Sequence, residues 1–433
     1  MEIYGWGRYP RIKAQVSFPR SGAQCASSIA ANESLIPRGR ARSYGDSSLA
    51  PQVLDTRYLN HFLNFDDATG LLTCAAGVSF DDILRVFVPR GWFPPVTPGT
   101  RFVTIGGAIA SDVHGKNHHV DGTFTRHVRT MEVLLGNGER VVTSLHEKPD
   151  LFHATCGGMG LTGVILSAAI QLKHIPSSDI IVTTIKAPNL ESVIETFEEH
   201  AASTYSVAWI DCLARGKHLG RSLLMLGEHA ENGLLTVHAS QTLPVPFDMP
   251  ASLLNHATIK AFNALFYGKA VRSRHTRRIP FEPFFYPLDK LADWNRLYGR
   301  LGFVQYQFVL PKAAGVVGLR DVLVHIANSG RGSFLSVLKV FGKANAHHLS
   351  FPMEGYTLAL DFKVEPAVFE LLNELDRIVL SNGGRLYLSK DARMTEATFK
   401  ACYPRWQEFQ QVRAQYHALD KFASVQSRRL GLQ

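Results

Sequence analysis

Short apolar runs separated by glycine turns dominate the first 175 residues of the chain. The segments LLTCAAGVS, MEVLLGNGERVVTS and GVILSAAIQL have the length and the β-branched content that predict strands. The Asn137-Gly138 pair in the middle segment predicts a tight hairpin turn. Apolar residues at helical spacing predict one short helix over Phe80 to Arg90. The pattern is α+β and lacks the regular long helices of a doubly wound sheet.

The pattern changes at about residue 176, after a Pro-Ser-Ser break, and from there longer helices alternate with strands. Helices are predicted over Leu190 to His200, Ala313 to Ser329 and Ala367 to Asn382. Strands are predicted over Val207 to Leu213, Phe303 to Leu310, Phe334 to Phe341 and Tyr356 to Phe362. We therefore place a domain boundary between residues 175 and 176, and 433 residues are enough for two hydrophobic cores.

Composition narrows the class of protein. A hydrophobic content of 45% with 19% charged residues is typical of a folded globular chain. The N-terminus lacks the apolar core of a secretory signal, and no apolar run reaches the roughly 20 residues that span a bilayer, which predicts a cytoplasmic protein. Five cysteines without a C-x-x-C pair argue against structural disulfides and a zinc ribbon.

The net charge of +9 is spread along the chain, which disfavours a nucleic-acid-binding surface and suits an anionic lipid or a phosphate-bearing substrate. Between Ser240 and Pro287, the apolar patch Phe262 to Tyr267 precedes the basic run Lys269 to Arg278. Aromatic residues beside clustered cations predict a contact with the inner membrane surface. The alternative is a solvated surface loop with one or two buried aromatic side chains.

Two glycine-rich segments carry the most specific chemical signal. Residues 98–119 read PGTRFVTIGGAIASDVHGKNHH, and residues 37–47 read PRGRARSYGDS. Glycines leave the backbone open to close approach, and the small hydroxyl residues and amides beside them are suited to a phosphate. Two such segments in one chain predict a large anionic cofactor.

At this point a family resemblance becomes specific. The chain resembles FAD oxidoreductases of the vanillyl-alcohol-oxidase type, whose cofactor domain is called the PCMH-type FAD-binding domain, and within them the decaprenylphosphoryl-β-D-ribose 2′-oxidase family. The motifs that carry the resemblance are GWGR at Gly5 to Arg8, RSYGD at Arg42 to Asp46, HGKNHH at His114 to His119, QYQF at Gln305 to Phe308 and GGRLYLSKDAR at Gly383 to Arg393.

The resemblance implies a two-domain α+β fold. Residues 1–175 would form the PCMH-type FAD-binding domain, and residues 176–382 a substrate domain built on an antiparallel sheet flanked by helices. Residues 383–433 would return to the FAD domain. The residues carried over as FAD contacts are Pro37, Arg38, Gly39, Arg42, Ser43, Tyr44, Gly45, Asp46, Ser47, Gly99, Thr104, Ile105, Gly106, Gly107, Ser111, Asp112, Val113, His114, Ile165 and Tyr387. Many relatives attach the flavin through a histidine in the first loop, but RARSYGD offers neither histidine nor cysteine, so we expect non-covalent FAD.

Three residues are candidates for catalysis and four for substrate binding. The catalytic candidates are Lys390, His114 and Tyr44, and the substrate candidates are Lys116, Gln305, Gln307 and Lys390. A lysine at the flavin would offset negative charge on the reduced ring and bond the substrate hydroxyl. The two glutamines alternate along a strand, so both amides face one side. From sequence alone, Lys390 could equally be an ordinary surface lysine, and Tyr44 could be a tyrosine of the core.

Two further motifs suggest other chemistry. The histidines of HGKNHH lack an acidic or cysteine partner at ligand spacing, so no metal is predicted. Gly158 to Gly163 satisfies G-x-G-x-x-G, but a strand-like segment follows it where a nucleotide-binding fold needs a helix. We therefore interpret this loop as packing against FAD.

The resemblance implies a reaction and its partners, and the chain departs from the family pattern at one position. The reaction is oxidation of the ribose 2′-hydroxyl of a polyprenylphosphoryl-β-D-ribose to the 2′-keto sugar. A separate NAD(P)H-dependent keto-reductase would complete an epimerisation to the arabinose donor for cell-envelope glycans, and quinone or oxygen would accept electrons. Ala359 stands where mycobacterial enzymes have the cysteine attacked by nitroaromatic inhibitors, which predicts resistance. The alternatives are a soluble alditol or aldonolactone oxidase and a non-catalytic nucleic-acid or lipid-binding protein.

Overall fold

The first part of the chain alternates short strands with short helices, as the glycine-punctuated pattern predicts. The structure, a computed structural model, describes residues 1–238, 242–250 and 252–432. The strands of this part are β1 Glu2–Tyr4, β2 Arg11–Lys13, β3 Gln15–Ser17, β4 Ile36–Arg38, β5 Gln52–Asp55, β6 Phe62–Asp66, β7 Leu71–Ala75, β8 Trp92–Phe93, β9 Val128–Leu134, β10 Arg140–Ser144 and β11 Val164–Gln171. The helices are α1 Gly22–Ala31, α2 Phe80–Phe87, α3 Ile105–Ala110, α4 His118–Asp121 and α5 Pro149–Thr155.

Two sheets organise this part. Strands β3, β5 and β4 form a parallel sheet, and β10, β9, β11, β7 and β6 form an antiparallel one in that order. The predicted Asn137-Gly138 hairpin is confirmed, since it joins β9 to β10. Helix α2 begins at the Ser79 cap, where Ser79 and Asp82 bond each other's backbone amides. The loop at Gly158 to Gly163 follows helix α5 and precedes strand β11, which confirms that it is not a nucleotide-binding fingerprint.

The second part contains the longer helices. Strand β12 Lys173–His174 precedes the boundary and pairs with β8 of the first part. The strands of the second part are β13 Asp179–Ala187, β14 Tyr205–Ile210, β15 Ser222–His229, β16 Leu243–Pro244, β17 Arg274–Pro280, β18 Leu291–Ala292, β19 Phe303–Pro311, β20 Ser336–Phe341, β21 Gly355–Lys363 and β22 Arg385–Leu386. Its helices are α6 Leu190–Glu199, α7 His256–Gly268, α8 Phe281–Phe285, α9 Gly315–Ser329, α10 Pro366–Ser381, α11 Glu396–Cys402, α12 Trp406–Gln415 and α13 Val425–Arg429. The predicted helices and strands are all present, with ends displaced by up to three residues.

An eight-stranded antiparallel sheet is the centre of the second part. Its strand order is β17, β13, β15, β14, β20, β21, β19 and β22. One face buries apolar side chains such as Phe308, Leu358 and Leu360 against helices α9 and α10. The opposite face carries polar side chains at alternate positions of β19, β20 and β21. This confirms the predicted α+β class with an antiparallel sheet flanked by helices.

The C-terminal segment contacts the first loop of the chain. Leu35 N–H donates to Lys421 O over 2.9 Å and Ala423 N–H donates to Leu35 O over 3.1 Å, and Val425 N–H donates to Leu49 O over 2.7 Å. Arg429 bonds both carboxylate oxygens of Asp46 and also reaches Asp391, at 2.8 Å. Assigning residues 383–433 to the FAD domain stays our interpretation, and these contacts are its physical basis.

In residues 242–250 and 252–287, strands β16 and β17 and helices α7 and α8 form regular structure where a loop was the alternative, and the membrane contact stays a prediction. Helix α7 covers the sheet with Phe266 and Tyr267, whose rings contact Trp209 and the Lys186 ammonium. Leu265 on the outward side is 76% exposed. Residues 239–241 and 251 lie outside the described part. No described helix is both long and apolar enough to cross a bilayer. All five cysteines are buried free thiols.

Candidate active site

The first glycine-rich loop follows β4 and is held between the N-terminus and the C-terminal segment. Trp6 N–H donates to Ser43 O over 2.7 Å, and Tyr44 N–H donates to Ser389 O over 3.1 Å. A Cβ at Gly45 would lie 1.7 Å from the Asp391 carbonyl oxygen, so only glycine fits this crossing. The loop therefore brings the RSYGD and YLSKDAR motifs into direct contact.

The second segment meets the first at helix α3. Thr104 caps this helix by accepting from the Gly107 N–H over 3.2 Å. A Cβ at Gly39 would lie 2.3 Å from the Thr104 hydroxyl, and a Cβ at Gly106 would lie 3.0 Å from that of Ala76. Nothing stands within 4 Å of the corresponding position at Gly99, where the backbone is open. Gly39 thus lets the two predicted loops pack together, Gly106 lets helix α3 pack on the turn after β7, and Gly99 leaves free space beside them.

Two arginines of the first loop have buried hydrogen-bond donors without a partner among the described residues. The Arg38 Nη1 and Arg42 Nε groups are buried and have no hydrogen-bond partner among the described residues. Arg42 lies 4.1 Å from the Trp6 ring and 5.2 Å from the Phe102 ring. Burial lowers the pKa of both guanidinium groups, since desolvation penalises the charged form. Unpaired cationic donors between two glycine loops fit the pyrophosphate of an FAD molecule.

The acidic residues predicted as FAD contacts are already bonded to protein groups. The Asp112 carboxylate accepts from the hydroxyls of Thr125 and Ser350 and from the Asn345 amide, at 2.5 to 2.7 Å. Asp112 also has a left-handed backbone, with φ of 41°. The Asp46 carboxylate is paired with Arg429. These two carboxylates therefore fix the loops, and a contact with the cofactor would come from their backbone.

The remaining predicted FAD contacts lie around these loops. Ser43 bonds Ser48 through its hydroxyl at 3.4 Å, and Ile165 lies on β11 in the core of the first part. Tyr387 donates its hydroxyl to Ser111 O over 2.8 Å and stacks on Phe351 at 4.5 Å. The buried residues among the others are Gly45, Ser47, Ile105 and Val113, while Pro37, Gly107 and Ser111 are partly exposed.

A polar cluster surrounds His114 on the open face of the large sheet. Gln307 Nε2 lies 3.1 Å from His114 Nε2 and 3.3 Å from the Thr357 hydroxyl. Lys339 Nζ lies 3.3 Å from the other ring nitrogen of His114. Burial and the nearby lysines lower the pKa of His114 well below its ordinary value, so the ring is neutral at pH 7. Desolvation also lowers the pKa of Lys339 to about 8.

Lys390 stands beside this cluster and contacts Tyr44. Its Nζ lies 3.6 Å from the centre of the Tyr44 ring, a cation–π contact. Desolvation lowers the pKa of Lys390 to about 7, and the charge of Asp361 opposes that shift. Asp361 accepts from Gln305 Nε2 at 2.5 Å, and its burial raises the pKa of its own carboxyl to about 7. A cation and a carboxyl group that titrate near neutrality share one site, which is typical of active sites.

Lys116 lies at the edge of the cluster. Its ammonium donates to the backbone oxygen of Phe284 and sits 4.7 Å from that residue's ring. Desolvation and Lys339 lower its pKa to about 7. The last two residues of the HGKNHH segment begin helix α4. There His118 accepts from Gly342 N–H and His119 bonds Ser203 O. Among the described residues, no group of three or more histidine, cysteine or acidic side chains is placed to hold a metal ion.

The structure therefore brings together Tyr44, His114, Gln305, Gln307 and Lys390, which lie far apart in sequence. Sequence reasoning missed Lys339 and Asp361. Both are polar residues inside otherwise apolar strands, in VLKVF and LALDF, and both fall on the same face as Gln305 and Gln307. The period-two alternation of β20 and β21 was the signal that could have found them.

Comparison with known proteins agrees with this geometry. Residues 14–144 match the FAD binding domain family. A relative that is 39% identical over 449 residues covers 99% of this chain and 97% of its own length. The chain therefore belongs to the FAD-dependent oxidoreductases with a PCMH-type FAD-binding domain. That relative is the decaprenylphosphoryl-beta-D-ribose oxidase of Mycolicibacterium smegmatis (strain ATCC 700084 / mc(2)155).

Other relatives show how far the similarity extends. An uncharacterized protein of Streptomyces coelicolor is 31% identical over 82% of this chain and all of its own length. The mitochondrial D-2-hydroxyglutarate dehydrogenase of Bos taurus is 25% identical over 73% of this chain and 58% of its own. The predicted PCMH-type class of flavoprotein is thereby confirmed.

Proposed function

We propose that this protein oxidises the 2′-hydroxyl of a polyprenylphosphoryl-β-D-ribose to the 2′-keto sugar, as the first half of an epimerisation. The single observation that carries the proposal is the full-length similarity to the decaprenylphosphoryl-beta-D-ribose oxidase, at 39% identity. The arrangement of Gln305 and Gln307 on one sheet face, with His114 and Lys390 beside them, supports it, because amides and an ammonium suit the hydroxyls of a sugar.

The chemistry that FAD would supply when bound is that of a hydride acceptor for the carbinol carbon, and the hydroxyl proton would leave to water. Lys390 would place a positive charge where the reduced ring becomes negative and would bond the reacting hydroxyl. Tyr44 would hold that lysine through its ring, and neutral His114, whose two ring nitrogens face Gln307 and Lys339, would position these two side chains at the substrate. Gln305, positioned by Asp361, and Lys116 would bind the sugar.

FAD would be held by the two glycine loops without a covalent bond. Residues 37–47 contain no histidine or cysteine, and the side chains nearest the loop crossing are arginines, a tyrosine and serines. Arg38 and Arg42 supply the spare donors for the pyrophosphate. Acid precipitation tests this directly: all of the yellow colour should stay in the supernatant, and flavin retained on the protein would contradict non-covalent binding.

The proposed partners follow from the same reaction. A separate NAD(P)H-dependent keto-reductase would reduce the 2′-keto sugar to the arabinose epimer, and quinone or oxygen would reoxidise the flavin. A lipid-linked substrate also calls for contact with the inner membrane surface. Helix α7 with exposed Leu265, followed by the exposed Lys269, Val271 and Arg272, supplies apolar and basic groups for that contact.

The test is anaerobic flavin bleaching by polyprenylphosphoryl ribose, by xylitol and by an aldonolactone in separate cuvettes. Bleaching by the lipid-linked ribose alone is the expected result. Bleaching by the free polyol or lactone alone would instead identify a soluble alditol or aldonolactone oxidase. A purified protein without flavin that binds DNA in a salt-dependent way would contradict an oxidase of either kind.

A further inference from the structure

A cavity of about 370 Å³ lies between the start of helix α7, the loop before β20 and the end of β21. Leu254, Ile259, Phe334 and Val368 form its apolar wall. The volume falls within the range of about 300 to 1,000 Å³ that is usual for small-molecule sites. None of the FAD, catalytic or substrate residues considered above lines it, apart from Asp361, so it is a separate feature of the substrate domain.

The inner end of this cavity adjoins the candidate active site. Asp361 and Tyr298 line that end. Asp361 accepts from Gln305, and the Tyr298 ring stacks on Phe303 with centroids 4.4 Å apart. Phe303 in turn contacts the Tyr44 ring at 5.3 Å. A single layer of side chains therefore separates the cavity from the residues proposed to hold the ribose.

The outer end of the cavity adjoins an exposed apolar surface. His256 and Ile259 of helix α7 line the cavity, and the same helix presents Phe262 and Leu265 to solvent with exposed fractions of 42% and 76%. Val271, just beyond the helix, is 92% exposed. Large apolar side chains are seldom left exposed together without a binding role. The cavity thus connects an apolar outer surface to the wall of the site.

A cation with an unused donor also lines the cavity. The Nε of Arg331 is buried and has no hydrogen-bond partner among the described residues, while its Nη1 donates to Ser329 O over 3.1 Å. A buried guanidinium donor is suited to a phosphate oxygen. The cavity therefore offers both an apolar wall and an anion-binding group, which is the combination that an isoprenoid phosphate needs.

We propose that this cavity binds the first isoprenoid units of the lipid-linked substrate, with Arg331 bonding the phosphodiester and helix α7 forming the entrance. The inference rests on the proposed function, which places the ribose at Gln305 and Gln307. The sugar, phosphate and tail then run from the sheet face past Tyr298 to Ile259. This path requires the Tyr298 ring, which forms the partition, to move aside.

The test compares two substrates on the FAD-loaded enzyme: β-D-ribofuranosyl phosphate carrying a farnesyl chain, and the same headgroup carrying a methyl group. Ile259→Trp fills the cavity and should raise the KM for the farnesyl substrate by about tenfold or more, with the methyl substrate unchanged. Phe334→Ala removes part of the apolar wall and should also raise the KM for the farnesyl substrate. It is a second variant, and it makes a side chain smaller rather than larger. Val317→Trp, at a position on helix α9 that is 65% exposed, is the matched control and should change neither KM.

The outcomes separate this inference from the proposed function. A wild-type flavin that neither substrate reduces overturns the proposed function and the cavity proposal together. Reduction by both substrates with equal KM, or equal changes in both KM values in Ile259→Trp and Phe334→Ala, overturns the cavity proposal alone. A binding measurement without turnover checks the same point: farnesyl phosphate should bind wild-type holoenzyme and lose about tenfold in affinity in Ile259→Trp, whereas inorganic phosphate should bind both alike.

Discussion

Replacing Lys390 with methionine should make the apoprotein more stable and the enzyme much slower. Lys390 lies over Tyr44 in a desolvated position that lowers its pKa from 10.5 to about 7. At about 1.36 kcal/mol per pH unit, that shift corresponds to at most about 5 kcal/mol of destabilisation of the charged form. Lys390 keeps some solvent exposure and the attraction of Asp361, so we expect a gain of about 2 to 3 kcal/mol in the methionine variant.

The direction in which stability changes with pH follows from the lowered pKa of Lys390. Because the folded-state pKa lies below that of the unfolded chain, the unfolded chain holds the proton between about pH 7 and pH 10.5 while the folded protein does not. Wild-type stability therefore rises with pH across that window, and the destabilisation is complete below about pH 7. Lys390→Met removes this contribution. Asp361, with its pKa raised to about 7, can become protonated and avoids being left as a lone buried charge.

The assay is urea unfolding of FAD-free protein at about pH 6 and about pH 9, followed by anaerobic flavin reduction of the reloaded enzyme. The variant should gain stability mainly at the lower pH, retain FAD and lose about 100-fold in reduction rate. Lys390→Arg, which keeps the charge, should recover part of that rate. Lys217→Met, at an exposed position, is the control and should change neither quantity. Unchanged reduction by Lys390→Met, or no stability gain at the lower pH, would refute the reasoning.

Three further predictions concern the two loops and the sheet face. Ala359→Cys should form a stable mass adduct with a nitroaromatic inhibitor and wild-type protein should not, since Ala359 is partly exposed opposite Gln307 and has no thiol. Gly45→Ala should lower the free energy of unfolding by about 2 kcal/mol or more and release FAD, because its Cβ would lie 1.7 Å from the Asp391 carbonyl oxygen. Arg42→Met should weaken FAD binding by about tenfold, measured by flavin fluorescence, because a charged hydrogen bond is lost.

Each of these has a matched comparison. Gly268→Ala adds the same methyl group where nothing lies within 4 Å, and its unfolding should stay near wild type. Arg20→Met removes an exposed arginine and should leave FAD affinity unchanged. An adduct on wild-type protein would show that Ala359 does not occupy the position of the mycobacterial cysteine. Tight FAD binding by Gly45→Ala or Arg42→Met would contradict the placement of the pyrophosphate between the two loops.

The helices, strands and turns were predicted well because each is specified by residues within one short segment. The hairpin at Asn137-Gly138 depends on two residues that adopt the turn, and the helices over 315–329 and 366–381 depend on apolar spacing within one element. The rejection of a nucleotide fingerprint at Gly158 to Gly163 also needed only the order of neighbouring elements. The resemblance of five motifs to a known family predicted the class of flavoprotein, because these motifs are spread over the whole chain.

The tertiary structure determines which polar residues share a site and which of their hydrogen-bonding groups are already used within the protein. Lys339 and Asp361 join His114 and Lys390 only because three antiparallel strands pair in one register, a contact between residues far apart in sequence. The Asp112 carboxylate turned out to be fully bonded within the protein, and Arg42 Nε to be without a partner. Burial then moves the pKa of Lys390 to near neutrality. Residue type is fixed by the sequence, but desolvation and hydrogen bonding depend on neighbours that only the folded chain brings together.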